Sequence, residues 1–216
     1  MPVEVKICGL TRADDAEFAD AAGAAYLGVI FAGGPRERSP AEARATLAGR
    51  RARRVGVFAS QSEAEIADIA SVVGLHVIQL HGDADPERIG AVRAATGLEI
   101  WAVVRTADGV LPEHVDDVAE VADALLIDAL APGVLGGTGR VVPWARLGES
   151  LDEMTVGHRI VLAGGLTPEN VAEAIRYVSP MIVDVSSGVE SAPGVKDSAR
   201  IRAFIAAVRA TSDLSE

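Results

Sequence analysis

A single cysteine, Cys8, is present in 216 residues. One thiol cannot close an internal disulfide, and the N-terminus lacks the basic-then-apolar order of a secretion signal. A reducing cytoplasm is therefore the expected compartment. Aromatic residues make up only 4% of the chain, so its core must be built from Val, Ile, Leu and Ala. No apolar run approaches the roughly 20 residues of a membrane span, and no membrane partner is expected. Positive charge is in deficit: the formal net charge is -11. That excludes broad nucleic-acid binding, which needs a basic face. An anionic ligand would have to be held by local backbone dipoles and a few placed arginines. Lys6 and Lys196 are the only lysines, a composition that reads as coding bias with little functional content.

What the chain does have is rhythm. Apolar β-type runs recur at roughly 20 to 28 residue intervals, the spacing of repeated βα units. They predict strands near 3–8, 25–31, 54–59, 76–80, 99–105, 122–128, 159–163 and 181–185. Between them Ile66, Ile69, Ala70 and Val73 follow helical spacing, as do Val171, Ala174, Ile175 and Val178, and Ile201, Phe204, Ile205 and Val208. Ser39-Pro40, Asp85-Pro86 and Thr167-Pro168 each put a capping side chain before a proline, the signature of a helix start. No linker or low-complexity stretch interrupts the pattern; the longest irregular segment, 131–142, is glycine-rich. Eight strand–helix units in this length predict an α/β chain folded as one closed (β/α)8 TIM barrel, a single domain over residues 1–216. The competing architecture is an open doubly wound sheet. Its dinucleotide fingerprint is missing, since Gly9 is followed by Leu10-Thr11 with no second glycine nearby.

Side chains alternate along a strand. In the first strand Val3, Val5 and Ile7 would face the helices, and Glu4, Lys6 and Cys8 the barrel interior, with Cys8 at the C-terminal mouth. The same count turns Gln79 and His81 inward from the fourth strand, Ala124, Leu126 and Asp128 from the sixth, and Ile182 and Asp184 from the eighth. Each residue alone has an ordinary explanation: a lone cysteine as core filling, an aspartate closing a strand as a loop cap, His81-Gly82 as a hydrogen-bonded turn. Together they give one mouth a thiol, two carboxylates and an imidazole, at the end where barrel enzymes carry their chemistry.

Glycines cluster in three late loops: Gly164-Gly165 after the seventh strand, Ser186-Ser187-Gly188 after the eighth, and Gly136-Gly137-Thr138-Gly139 after the sixth. Glycine lets backbone N–H groups approach an anion closely. The loops after strands 7 and 8 are where such barrels frequently bind phosphate. A small sugar phosphate is the expected ligand, with Gly137, Gly139, Gly164, Gly165, Ser186, Ser187 and Gly188 among its contacts.

The segments KICGLT (6–11), RVGVFA (54–59), QLHGD (79–83), GGTG (136–139), LAGGLTPENV (162–171), VDVSSGVES (183–191) and PGVKD (193–197) occur in order across nearly the whole chain. In them the sequence resembles the phosphoribosylanthranilate isomerase family of tryptophan biosynthesis. The resemblance implies a (β/α)8 barrel without cofactor or metal. It also implies an Amadori rearrangement of N-(5-phosphoribosyl)anthranilate to 1-(2-carboxyphenylamino)-1-deoxyribulose 5-phosphate. It gives Cys8 the role of general base and Asp128 that of general acid. The family's carboxylate-binding arginine follows the second strand in an S-P-R or S-K-R context. Here that stretch reads Gly34-Pro35-Arg36-Glu37-Arg38-Ser39-Pro40. Counting back from Ser39 selects Arg36, with Arg38 as its rival. Arg140 stands where the family commonly has lysine. Asp184 would hold the anilino nitrogen, and His81 would be a supporting mouth residue without an assigned role. The charge that lowers the thiol pKa would be Lys6 or the substrate's own iminium. Assembly as a monomer or homodimer is expected. Two other readings fit the barrel: an aminoaldose isomerase using paired aspartates, against which the cysteine argues, and a binding protein for a phosphorylated metabolite.

Overall fold

Local chemistry sets where helices begin and end. The Ser39 hydroxyl accepts a hydrogen bond from the Glu42 N–H while the Glu42 carboxylate accepts from the Ser39 N–H. Ser62 and Glu65 repeat this reciprocal cap, and the Asp85 carboxylate accepts from the Arg88 N–H. Each arrangement satisfies backbone donors that the first helical turn leaves orphaned. Gly23, Gly74 and Gly97 end helices at φ of 103°, 70° and 66°, a left-handed conformation that glycine adopts without a steric cost.

The computed structural model describes residues 2–82, 85–113, 115–129, 143–154 and 158–212. Along them run β1 (Glu4–Ile7), α1 (Ala13–Ala22), β2 (Tyr26–Ile30), α2 (Pro40–Leu47), β3 (Arg53–Phe58), α3 (Glu63–Val73), β4 (Val77–Leu80) and α4 (Pro86–Thr96). Then follow β5 (Glu99–Arg105), α5 (Val115–Val121), β6 (Ala124–Asp128), α6 (Trp144–Asp152), β7 (Ile160–Ala163), α7 (Val171–Val178) and β8 (Ile182–Val185). A 3-10 turn (Ser187–Val189), a short hairpin of β9 (Glu190–Ala192) and β10 (Val195–Lys196), and α8 (Ser198–Ser212) complete the order. Strands β1 to β8 are parallel neighbours in sequence order. β1 also pairs with β8, Lys6 lying opposite Asp184 and Ile7 opposite Val185. The sheet thus closes into a (β/α)8 TIM barrel.

The expected helix start at Thr167-Pro168 is displaced. α7 begins at Val171, and the residues before it form a turn in which the Thr167 N–H donates to the Asn170 side chain at 2.8 Å. Thr167 and its proline open this turn, the Thr167 hydroxyl accepting from the Glu169 N–H at 3.3 Å, and the regular helix follows it.

Alternation along the strands separates two cores. Tyr26, Val55, Val77, Trp101, Val103, Ala124, Leu126, Val161, Ala163 and Ile182 fill the barrel. Val5, Ile7, Leu27, Val29, Ile78, Ile127 and Val183 face the helices. Both cores are mainly aliphatic, each fully buried Val, Leu or Ile contributing about 1.5–3 kcal/mol. At the N-terminal ends of the strands Tyr26 meets Trp101 edge-on at 5.0 Å. Glu99 there pairs with Arg53 at 2.6 Å and Arg159 at 2.9 Å. That end is plugged, which leaves polar chemistry to the opposite mouth. Among the described residues, no helix is long and apolar enough to cross a membrane.

Candidate active site

At the C-terminal mouth lies a cavity of about 380 Å³. Its wall includes Cys8, Arg36, Gln79, His81, Asp128 and Asp184, together with Gly164, Gly165, Ser186, Ser187 and Gly188. Ile30, Val57, Leu126 and Leu166 supply its apolar lining. Gly137 and Gly139, like Thr138 and Arg140, lie outside the described residues.

Cys8 sits one residue past β1, its N–H donating to the Val185 carbonyl at 2.9 Å. Its thiol has room because the neighbouring strand carries Gly28. A β-carbon there would stand 2.9 Å from Sγ. Beneath it, Lys6 is fully buried. The Lys6 ammonium donates to Asp184 Oδ2 at 2.6 Å and to Gln79 Oε1 at 2.9 Å. Burial pushes the Cys8 thiol above its ordinary pKa, and Asp184 adds to this. Lys6 and Lys196 pull the other way without prevailing. Burial, with a smaller contribution from Asp184, therefore outweighs Lys6 and leaves the thiol pKa raised.

Asp128 closes β6, opposite Arg105 on one side and Ala163 on the other. Burial raises its carboxyl pKa against the pull of His81 and Arg105, so a larger share of it stays protonated than of an exposed aspartate. His81 is pushed down, by burial first and then by Arg105, which keeps its imidazole neutral at physiological pH. Gly164 lies against Asp128 at φ of 92°; a β-carbon would stand 2.8 Å from Oδ1. The two glycine loops touch each other as well: a β-carbon on Gly188 would come within 1.9 Å of the Leu166 carbonyl oxygen.

Arg36 crosses the mouth over Gly9, where a β-carbon would meet its Cδ at 2.6 Å. Its Nε and Nη2 donate to the two oxygens of Glu190 at 2.8 and 2.7 Å. The Nη1 group has no partner among the described residues. Arg38 is turned away from the cavity, its guanidinium 3.8 Å from Glu42 on α2. Of the rival arginines, then, Arg36 lines the cavity and Arg38 does not.

Three buried polar atoms on this one wall have no hydrogen-bond partner: His81 Nδ1, Asp184 Oδ1 and Ser186 Oγ. Unpaired buried polar atoms are rare and costly, and their convergence suits a polar, hydrogen-bonding ligand. Among the described residues, no group of three or more His, Cys, Asp and Glu side chains is arranged to hold a metal ion.

Sequence reasoning reaches the thiol, the two aspartates, His81, Arg36 and the loops after β7 and β8. It misses Glu190 and Lys196. Lys196 is buried, and its Nζ donates to Glu190 Oε1 at 2.9 Å and to the Ser186 carbonyl at 3.0 Å. A signal is present: both lysines of this arginine-rich chain are buried beside the cavity.

The family model described as N-(5'phosphoribosyl)anthranilate (PRA) isomerase matches residues 5–207. An N-(5'-phosphoribosyl)anthranilate isomerase of Paracoccus denitrificans is 46% identical, the alignment covering 99% of this chain and 100% of the relative. The crystal structure of phosphoribosyl anthranilate isomerase from Thermotoga maritima superposes with a TM-score of 0.86 at 34% identity, over 96% of this chain and 99% of that one. A further crystal structure, of the isomerase in complex with reduced 1-(o-carboxyphenylamino)-1-deoxyribulose 5-phosphate, superposes with a TM-score of 0.83 at 33% identity, over 96% and 99% of the two chains.

Proposed function

The chain belongs to the N-(5'-phosphoribosyl)anthranilate isomerase family of tryptophan biosynthesis, and from that premise we propose that Cys8 and Asp128 perform the isomerisation as base and acid. The observation that carries this reading is the shared cavity: a thiol and a carboxyl with a raised pKa line it together with an arginine and two glycine loops.

The substrate has a carboxylate at one end and a phosphate at the other. Arg36 would take the carboxylate through its free Nη1. Gly164, Gly165, Ser187 and Gly188 would take the phosphate with backbone N–H groups, and Ser186 Oγ would add a hydroxyl. Asp128 delivers a proton to the ribose ring oxygen as the C1–O bond breaks and the anilino nitrogen lone pair forms an iminium. Its raised pKa suits that task. Cys8, as thiolate, then removes the proton from C2, and the electron pair neutralises the iminium to give an enolamine. Proton transfer to C1 with loss of the O2 proton yields the ketone. No atom or electron is gained overall, so the cycle needs no external oxidant or reductant.

Activation of the thiol falls to the substrate. Lys6 is paired with Asp184, whereas the iminium forms beside Cys8 only once the ring has opened. A nearby cation favours the thiolate; the thiol proton leaves to solvent and Asp128 regains one from solvent at the end of the cycle, so the base is made when it is needed. Asp184 Oδ1, unpaired and buried, is suited to accept from the anilino N–H.

The test is turnover in Cys8→Ala and Asp128→Asn, each expected to fall by about 10²–10⁴-fold, the usual contribution of acid–base catalysis, with unchanged affinity for the reduced product analogue. Arg36→Met should raise KM while Arg38→Met leaves it near wild type. Full turnover in either of the first two variants would remove the assigned acid or base.

A further inference from the structure

Glu190 and Lys196 form an arrangement that the reaction chemistry does not itself require. Glu190 Oε1 accepts from both Arg36 Nε and Lys196 Nζ, and its Oε2 accepts from Arg36 Nη2. The fork geometry fixes the guanidinium plane. It also has an electrostatic consequence. Arg36 and Glu190 alone would sum to zero, which would blunt the attraction of the mouth for an anion. With Lys196 the three formal charges sum to +1, in a chain whose net charge is -11.

Lys196 reaches the other end of the substrate site as well. Its Nζ donates to the carbonyl of Ser186, the residue that opens the loop after β8. Its own N–H donates to the buried Asp15 carboxylate on α1 at 3.0 Å. The two-residue strand carrying it is thus anchored to the barrel, and the ammonium is pinned rather than mobile. Its side chain is fully buried, an environment in which an unpaired charge is not tolerated and every contact is consequential.

We propose that Lys196 is a positioning residue that ties together the two arms gripping the substrate, the Arg36–Glu190 fork at the carboxylate end and the Ser186–Gly188 loop at the phosphate end. The inference rests on the reading of those two arms given above. Lys196 sets the geometry of one through Glu190 and of the other through a backbone carbonyl. Glu190 holds the carboxylate arm directly and reaches the phosphate arm only through Lys196.

The experiment uses full-length Lys196→Met, Glu190→Gln and Arg36→Met, singly and with Arg36→Met combined with each of the others. The readouts are kcat and KM, and calorimetric Kd for ribose 5-phosphate, which carries the phosphate but no carboxylate. Loss of one charge-assisted hydrogen bond corresponds to roughly tenfold in affinity. Lys196→Met should therefore weaken ribose 5-phosphate about tenfold and raise KM about a hundredfold, with kcat changed less. Glu190→Gln should raise KM about tenfold, by less in the Arg36→Met background, and should also weaken ribose 5-phosphate, because it leaves the buried Lys196 ammonium without its counter-charge. Unchanged ribose 5-phosphate affinity in folded Lys196→Met overturns the proposal. If that variant does not fold, unchanged ribose 5-phosphate affinity in Glu190→Gln, which releases the same ammonium, overturns it. An unchanged KM in Arg36→Met alone would instead defeat the reading of the carboxylate arm, and ribose 5-phosphate binding by Lys196→Met would then decide the coupling.

Discussion

Replacing Gly28 by alanine tests how closely the thiol is seated. The added methyl would stand 2.9 Å from Cys8 Sγ, 3.2 Å from Cys8 Cα and 3.2 Å from Lys6 Cε. Carbon atoms in contact prefer about 3.5–4.0 Å, so about 0.5 Å must be found. Cys8 Cα is backbone, held by the Cys8 N–H to Val185. Lys6 is fixed by Asp184 and Gln79. The thiol therefore turns aside, or β1 moves away from β2. Overpacking of this kind costs about 1–3 kcal/mol. For a chain of this size that lowers Tm by about 2–4 °C per kcal/mol. A misplacement of about 1 Å at a reacting group costs about a hundredfold, so about 0.5 Å should lower kcat roughly tenfold. KM should change little, since the proposed carboxylate and phosphate contacts come from other elements. Steady-state kinetics and thermal unfolding of Gly28→Ala measure both effects. Wild-type kcat together with wild-type Tm would refute the claim that Gly28 makes the space for the thiol.

Two further outcomes follow from the same geometry. Gly90 lies exposed within α4, and a β-carbon there would meet no atom within 4 Å. Gly90→Ala should raise the unfolding free energy by about 0.5–1 kcal/mol and leave kcat and KM unchanged; a destabilised protein in chemical denaturation would contradict this. Labelling of Cys8 by iodoacetamide should be slower at pH 7 than labelling of a free thiol, because burial raises its pKa. Since only the thiolate reacts, the rate should climb about tenfold per pH unit past the ordinary thiol value of about 8.5; a rate that levels off below pH 7 would mean a thiolate already formed without substrate.

Much of this arrangement is legible in the sequence because it depends on local periods. Strand alternation alone turns Lys6, Cys8, Gln79, Asp128 and Asp184 towards one interior. The eight apolar runs fall on the eight barrel strands. The helix start expected at Thr167-Pro168 is displaced because a capping residue before proline also opens a turn, here closed by Thr167 and Asn170 side-chain hydrogen bonds. Long-range pairing is not legible. Lys6 meets Asp184 across 178 positions and Arg36 meets Glu190 across 154. No local pattern announces either pair. The first offsets part of the charge expected to activate Cys8, and burial outweighs the rest. The second fixes which arginine faces the cavity, a choice that counting along the loop after β2 leaves open between Arg36 and Arg38. Rarity of lysine is the one compositional clue to Lys196, and it carries information only once burial places both lysines beside the site.

The central claim is that Cys8 removes the proton from C2. Single-turnover kinetics with substrate deuterated at ribose C2 address it directly, in the wild-type enzyme and in Cys8→Ala. The account predicts a primary isotope effect on the chemical step of the wild type, and in Cys8→Ala a rate lower by about 10²-fold or more with the product analogue still bound. A Cys8→Ala enzyme that turns over at the wild-type rate with the same isotope effect would contradict it, for the proton would then be leaving to another group.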